Sequence, residues 1–312
     1  MSFGNDEAAL EALSTGLVVF DRTHAGRLRV SGREGAAALQ ALCGCDVGAL
    51  APGGGALVQL QTAPGTWHPA TLLALDAGYL VLLPPGCSAA AAERLGGCCA
   101  DVGGATAAFA LLGPGADEAL LRVQAAPLAG APPGCHALFG FQGTPVVVAA
   151  GAAGLASPGV TLLADESAAG ALWAALTGPL GAVAAGARAW ERLRVAEGVP
   201  ACGPELLHQH ASDAATRNAL MGLRLPPGSA CAVGDAVEDA LSGGAMGAVT
   251  SACPEDGTAL ALIRQPQGAA ADGARVRVGA QRVGGVLQTT AWQARLAQEP
   301  AVGTHPPPAK AP

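Results

Sequence analysis

The stretch "ARAWERLRVAEGVPACGPELLHQHASDAATRNALMGLRL", residues 187 to 225, decides how the rest of the chain is read. Six charged residues, Arg188, Glu191, Arg192, Arg194, Glu197 and Glu205, crowd into its first half, although only 13% of the chain is charged. The spacing predicts a helix over residues 187 to 197 that stops at Gly198 with Pro200 just beyond, the usual end of an α-helix. Trp190, Leu193 and Glu197 share one side of it, and Glu191 and Arg194 read as a surface ion pair contributing about 0.2 to 0.5 kcal/mol. From Leu220 onward the texture changes to short strands, "LMGLRL", "MGAVTSA", "ALALIR", "ARVRVG" and "QRVGGVLQT", parted by glycine and proline turns. That pattern predicts a small β-barrel or sandwich without helices. The proline-rich end beyond it reads as disordered.

Upstream, "GRLRV" alternates like a half-buried strand, "SG" turns, and residues 34 to 42 follow helical periodicity. A second strand, turn and helix follow in "ATAAFALLGPGADEALLRV", residues 105 to 123, so two related half-motifs share one α+β body. Between them "TLLALDAGYLVLL" reads as a hairpin turning at Asp76-Ala77-Gly78. Further strands are expected at 136–141, 145–149 and 160–164, and a helix at 167–177 with Asp165 and Ser167 as capping candidates. This order favours ferredoxin-like α+β sheets over a doubly wound parallel fold.

A length of 312 residues allows two or three modules. Aromatic residues make up 3% of the chain, so cores are built from Ala, Leu and Val. Lys310 is the single lysine, which excludes a Schiff-base lysine in the folded body and a Walker lysine after the "PGGG" at 52 to 55. A net charge of -7 and no arginine cluster argue against a nucleic-acid partner. Between Arg122 and Asp165 the chain carries no charge, but prolines and glycines interrupt every run before the roughly 20 residues a membrane span requires. The nine scattered cysteines include no C-x-x-C, so they read as small buried thiols of a reducing compartment, with neither a zinc site nor a disulfide framework. "HQH" at 208 to 210 lacks a third ligand and reads as a solvated loop, and no metal is expected. Asp21 and His24 read as turn residues beside the first strand. The acidic start "MSFGNDEAALEAL" does not read as a transit peptide.

Taken together, "FDRTHAGRLRVSG", "AWERLRVAEGVPACGPEL", "RNALMGLRL" and "MGAVTSA" resemble, in order, the signatures of the glycine-cleavage T-protein superfamily over roughly residues 14 to 290. The likeness is greatest to its folate-binding YgfZ-type branch, in particular the chloroplast members, whose tails share a His-Pro-Pro element like His305-Pro306-Pro307. The resemblance implies a three-part cloverleaf: an N-terminal extension (1–13), a first α+β folate-binding half (14–125), a second α+β half (126–217), a C-terminal β-barrel (218–290) and a disordered tail (291–312). It also implies a tetrahydrofolate cofactor, iron–sulfur client or assembly proteins as partners, and a chloroplast or mitochondrial setting, with the cytoplasm as the alternative. The pterin pocket is expected where the Trp190 to Glu197 helix faces the hairpin near Tyr79. Arg194 would be the polar contact, Trp190 packing support and Glu197 a ring-nitrogen partner.

Three departures qualify the resemblance. The family's Lys-Gly-Cys-Tyr-x-Gly-Gln-Glu segment has no counterpart in Leu207 to Thr216. His68 and Pro69 stand where the true aminomethyltransferases carry an Asp-Asp pair whose carboxylate assists attack by a folate nitrogen. Glu197 lies one residue later than the family's glutamate, which rotates it by about 100° on a helix. No catalytic residue is therefore assigned. The expected function is an accessory factor for iron–sulfur protein biogenesis without turnover; a folate-dependent aminomethyl or one-carbon transferase and a degenerate scaffold are the alternatives.

Overall fold

The computed structural model describes residues 3–43, 45–63, 66–123, 128, 131–152, 154–155, 157–203, 205, 216–266 and 272–298. The chain divides into two compact units: Met1–Thr62, Pro69–Trp190 and Glu299–Pro312 form the first, Ala63–His68 and Glu191–Gln298 the second.

In chain order the first part contains α1 (Asp6–Thr15), β1 (Val18–Asp21), β2 (Gly26–Val30), α2 (Gly32–Cys43), β3 (Gly55–Ala63), β4 (Thr66–Leu75), β5 (Gly78–Leu83), α3 (Ser88–Leu95), β6 (Cys99–Asp101), β7 (Thr106–Leu112) and α4 (Ala116–Arg122). There follow β8 (His136–Phe141), β9 (Thr144–Ala150), β10 (Gly159–Asp165), α5 (Glu166–Thr177), β11 (Val183–Ala185) and α6 (Ala187–Glu197). The strands make a six-stranded sheet, β11-β1-β7-β10-β9-β8, and a five-stranded one, β3-β4-β5-β2-β6. The two strand-turn-helix half-motifs, β2 with α2 and β7 with α4, thus serve different sheets.

Strand alternation explains the layers. On β7, Ala107, Phe109 and Leu111 join Ala119 and Leu120 of α4 and Leu172 and Leu176 of α5 in one core. Ala108 points the other way and packs with Leu73 of β4, backed by Leu80 and Leu82 of β5. With both faces covered, β7 reads after Thr106 as the unbroken apolar run "AAFALL". The β4–β5 hairpin pairs Leu75 with Gly78 across a two-residue turn, and Gly78 takes φ +105°, which its missing Cβ permits. The Asp165 carboxylate accepts the Ser167 N–H at 2.9 Å and caps α5. Arg27 is 1% exposed and donates to the carbonyls of Ala25, Thr23, Gly103 and Thr106 and to the Thr106 hydroxyl, tying β2 to the segment that enters β7.

The second unit is a closed barrel in the order β12-β15-β14-β13-β16-β17. Its strands are β12 (Thr216–Arg224), β13 (Ala236–Asp239), β14 (Ala245–Cys253), β15 (Thr258–Pro266), β16 (Arg275–Val278) and β17 (Val283–Gln288). Period-2 patterning fills it: on β16, Val276 and Val278 face the interior with Leu223, Ile263 and Leu287, while Arg275 and Arg277 face out. Closure removes the unpaired edges an open sheet would leave.

One expectation fails here. Residues 291 onward do not all belong to a disordered tail, because α7 (Ala291–Gln298) follows the barrel. Thr290 and Gln293 form a reciprocal cap: the Thr290 N–H donates to the Gln293 side-chain Oε1 at 3.0 Å, and the Gln293 backbone N–H to the Thr290 hydroxyl at 3.2 Å. Trp292 is 1% exposed, and the Gln293 amide donates to the Leu220 carbonyl, which fastens α7 to β12. Residues 1 to 13, expected as an extension, hold most of α1, with the Asn5 amide donating to the Ala184 carbonyl at 3.0 Å. The remainder of the tail, with His305-Pro306-Pro307, lies outside the described residues, as do His208 and His210 and the shortened signature at 207–215. No helix among the described residues is long and apolar enough to cross a membrane.

Candidate functional site

The densest polar cluster of the second unit is built by the end of α6, the turn after it and a bulge in β14. Arg194, 6% exposed, has an acceptor for each of its five N–H bonds. Nε donates to Glu191 at 2.9 Å, Nη1 to Glu205 at 2.8 Å and to the Val199 carbonyl at 2.7 Å, and Nη2 to Glu191 and to the Ser251 hydroxyl at 2.6 Å. Burial works against the guanidinium charge, but the Glu191 and Glu205 carboxylates more than compensate and hold its pKa above the ordinary value.

Glu205 closes the other side. Its Oε2 accepts the Ala201 N–H at 2.8 Å, and its Oε1 accepts the hydroxyls of Ser251 and, at 2.9 Å, Thr250. Two consecutive strand residues normally point to opposite faces. They converge here because the β14 register slips between Val249 and Ser251, and a bulge of this kind re-aims side chains. Beside the cluster, Arg192 binds Asp256 through Nε at 2.7 Å and through Nη2.

The surface ion pair expected between Glu191 and Arg194 is therefore one limb of a buried network. Arg194 holds the turn after α6 through the Val199 carbonyl and, by way of Glu205, the Ala201 N–H. That turn begins at Gly198, whose φ is +80° and whose missing Cβ would lie 2.1 Å from the Thr290 Cβ, so only glycine fits there.

The remaining expected residues sit elsewhere. Glu197 ends α6 and is 8% exposed. Trp190 is buried against Phe20 in an edge-to-face contact (centroids 5.1 Å apart), and the Arg22 guanidinium lies 3.9 Å over its ring. Phe20 pairs with Ala110, on the face of the six-stranded sheet opposite α4 and α5. Tyr79 occupies the outer face of the five-stranded sheet, opposite to Leu80 and Leu82, and its hydroxyl donates to the Val47 carbonyl at 3.1 Å. Burial and nearby Asp46 push that phenol up. Strand alternation thus sends the Trp190 and Tyr79 rings to different layers of the first unit.

On β4, His68 is 2% exposed, and its Nδ1 has no hydrogen-bond partner among the described residues. Burial lowers its pKa, which keeps the ring neutral. Asp21 accepts the Thr23 N–H at 2.9 Å, and His24 lies 3.3 Å from the Arg22 guanidinium, so both are engaged in the turn after β1. Glu205, Thr250 and Ser251 were not singled out from the sequence. Glu205 lies inside the quoted "PEL", but no local pattern marks a bulge forty-five residues further on.

No protein-family model matches the chain. Over 214 residues it is 31% identical to the Arabidopsis thaliana protein named "Putative transferase At1g60990, chloroplastic", an alignment of 66% of this chain and 49% of that one. The chain thus spans about half the length of that relative. Among solved structures it is similar to the glycine cleavage system aminomethyltransferase T from Bartonella henselae, with a TM-score of 0.75 and 16% identity over 94% of this chain and 91% of the other. With its six-stranded and five-stranded sheets and its closed barrel, the chain has the T-protein fold.

Proposed function

We propose that the chain is a tetrahydrofolate-binding, T-protein-like accessory factor of the YgfZ type, which serves iron–sulfur protein biogenesis in a plastid and turns over no aminomethyl group itself. The observation that carries this reading is the composition of β4. Among "TWHPATLLAL" there is no acidic residue. His68 is held neutral by burial, and Pro69 has no ionisable group, so this strand offers no carboxylate to assist a folate nitrogen. Support for a folate ligand comes from the fold shared with the bacterial aminomethyltransferase, and the plastid setting from the name of the Arabidopsis relative.

The residues fit a reduced pterin in part. A pterin presents ring and amino N–H donors, for which a carboxylate with little access to water is the matching acceptor. Glu197, at the end of α6, is the residue that would hold it. Arg194 has all five donors engaged and acts as a positioning residue for the turn behind Glu197. Trp190 supports the start of α6 by packing, and Tyr79 is left out of the site. Bound folate would supply a one-carbon acceptor nitrogen; no step of turnover is assigned to the chain.

Isothermal titration with about 100 μM tetrahydrofolate tests the reading, since a working site of micromolar affinity saturates there. Wild-type protein is expected to bind, Glu197→Gln to bind at least tenfold more weakly, and an aminomethyl-carrier assay to release no ammonia. Absence of binding heat would leave a scaffold. Folate-dependent ammonia release would make it an aminomethyltransferase.

A further inference from the structure

The end of α2 carries a feature that the folate reading does not use. Cys43 is the last residue of α2, and Cys45 follows two positions later in the sequence Cys-Gly-Cys. Their Sγ atoms lie 3.0 Å apart in a shared hydrogen bond, and both thiols are half-buried, with neither sealed in a core. Leu42, 6% exposed, and Val47, fully buried, anchor the segment on either side. The Val47 N–H donates to the Cys45 carbonyl at 2.9 Å, while the Val47 carbonyl accepts the Tyr79 hydroxyl, so the segment is held by backbone contacts that need neither thiol.

We infer that Cys43 and Cys45 form a thiol–disulfide exchange site for low-molecular-weight disulfides of the glutathione type, with Cys43 as the attacking thiol and Cys45 as the resolving one. A disulfide needs its sulfurs about 2.05 Å apart, so the pair has about 1 Å to close.

Either sulfur could be the donor in this contact, so the polarity of the pair is assigned from the way its two thiols titrate. The Cys45 thiol, opposed by burial and assisted by the Cys45 backbone N–H, brings the Cys43 thiol down from 9.0 to about 7, while the same contact and burial push Cys45 up. The shift comes from this neighbour and not from the helix dipole, because a helix C-terminus disfavours an anion. Cys99 donates to the Ala92 carbonyl at 3.7 Å and is pushed up by burial, and Cys87, Cys135, Cys231 and Cys253 are buried.

The exchange balances as follows. The Cys43 thiolate attacks one sulfur of the disulfide, forming a mixed disulfide and releasing one glutathione thiolate. That thiolate takes the Cys45 proton. The Cys45 thiolate then attacks the Cys43 sulfur, forming the Cys43–Cys45 bond and releasing the second glutathione thiolate. Two protein thiols are oxidised and one external disulfide is reduced to two thiols.

A thiol of pKa about 7 is half ionised at pH 7, against about one part in a hundred at 9. Its nucleophilicity falls by about tenfold over the same interval, so the net advantage is about fivefold. The test uses the reduced full chain, pulse-alkylated with iodoacetamide at pH 7, with each cysteine read by peptide mass mapping. Cys43 is expected to alkylate about fivefold faster than Cys98. In a separate incubation with glutathione disulfide, the 43–45 peptide is expected to lose two hydrogens, and Cys45→Ser to accumulate a glutathione adduct on Cys43. Equal alkylation of Cys43 and Cys98, or glutathione adducts on wild-type Cys43 and Cys45 with no bond between them, would overturn the assignment. The wild-type measurements stand even where a variant folds poorly.

Discussion

Arg194 and Glu205, eleven residues apart in sequence, meet as a buried ion pair with Nη1 2.8 Å from Oε2. Their side chains are 7% and 1% exposed, so neither charge has water to fall back on. Removing one member of a buried pair costs about 3–5 kcal/mol, since the other is left desolvated. Because Glu191 stays with Arg194, Glu205→Gln is expected at the low end, about 3 kcal/mol, seen as a lowered urea midpoint of the barrel unit. The double variant Arg194→Met/Glu205→Leu should recover much of that loss. A single variant of wild-type stability would show that the network does not hold the turn.

Gly198 offers a test that does not involve charge. A methyl group there meets Thr290 at 2.1 Å in a backbone of φ +80°. Strain and overpacking together predict that Gly198→Ala loses about 2–4 kcal/mol. Gly97 has open space at its Cβ position, so Gly97→Ala, judged by the same thermal melt, is expected to be near neutral.

Arg27 separates shape from charge. Its planar fork serves four backbone carbonyls and one hydroxyl, an arrangement a lysine ammonium with three donors cannot reproduce. Arg27→Lys keeps the charge and is expected to destabilise the first unit by about 2–4 kcal/mol through acceptors left unpaired. A melting temperature unchanged by the substitution would contradict this.

Acid stability follows from two buried histidines. Burial lowers the pKa of His68, and it also lowers that of His136 although the Gly134 carbonyl, 3.0 Å from Nδ1, pulls the other way. The unfolded chain, at about 6.5, then binds more protons than the folded one, so stability is full above pH 6.5 and is lost as pH falls through the folded values. Melting temperatures should drop between about pH 6.5 and 5, before most carboxylates titrate. His136→Gln, compared with wild type at both pH values, should show a shallower decline.

Much of this architecture was open to a reader of the chain because local physics settles it. The hairpin of residues 71 to 83 shows in two apolar runs around a glycine-ended turn, and α6 in its 3.6-residue spacing and its stop at Gly198. The barrel shows in period-2 strands such as "RVRV". The capping box of α7, Thr290 to Gln293, was equally legible, but the prolines beyond it drew the reading toward disorder.

What the sequence by itself determined is which segments become helices and strands, since hydrophobic period, caps and turn residues act over a few neighbours. Only the tertiary structure decided which faces meet. It sent Tyr79 and Trp190 to different layers because successive strand side chains alternate. It also turned an apparent surface ion pair into a buried network, through Glu205 and a one-residue slip in β14 that no local pattern encodes.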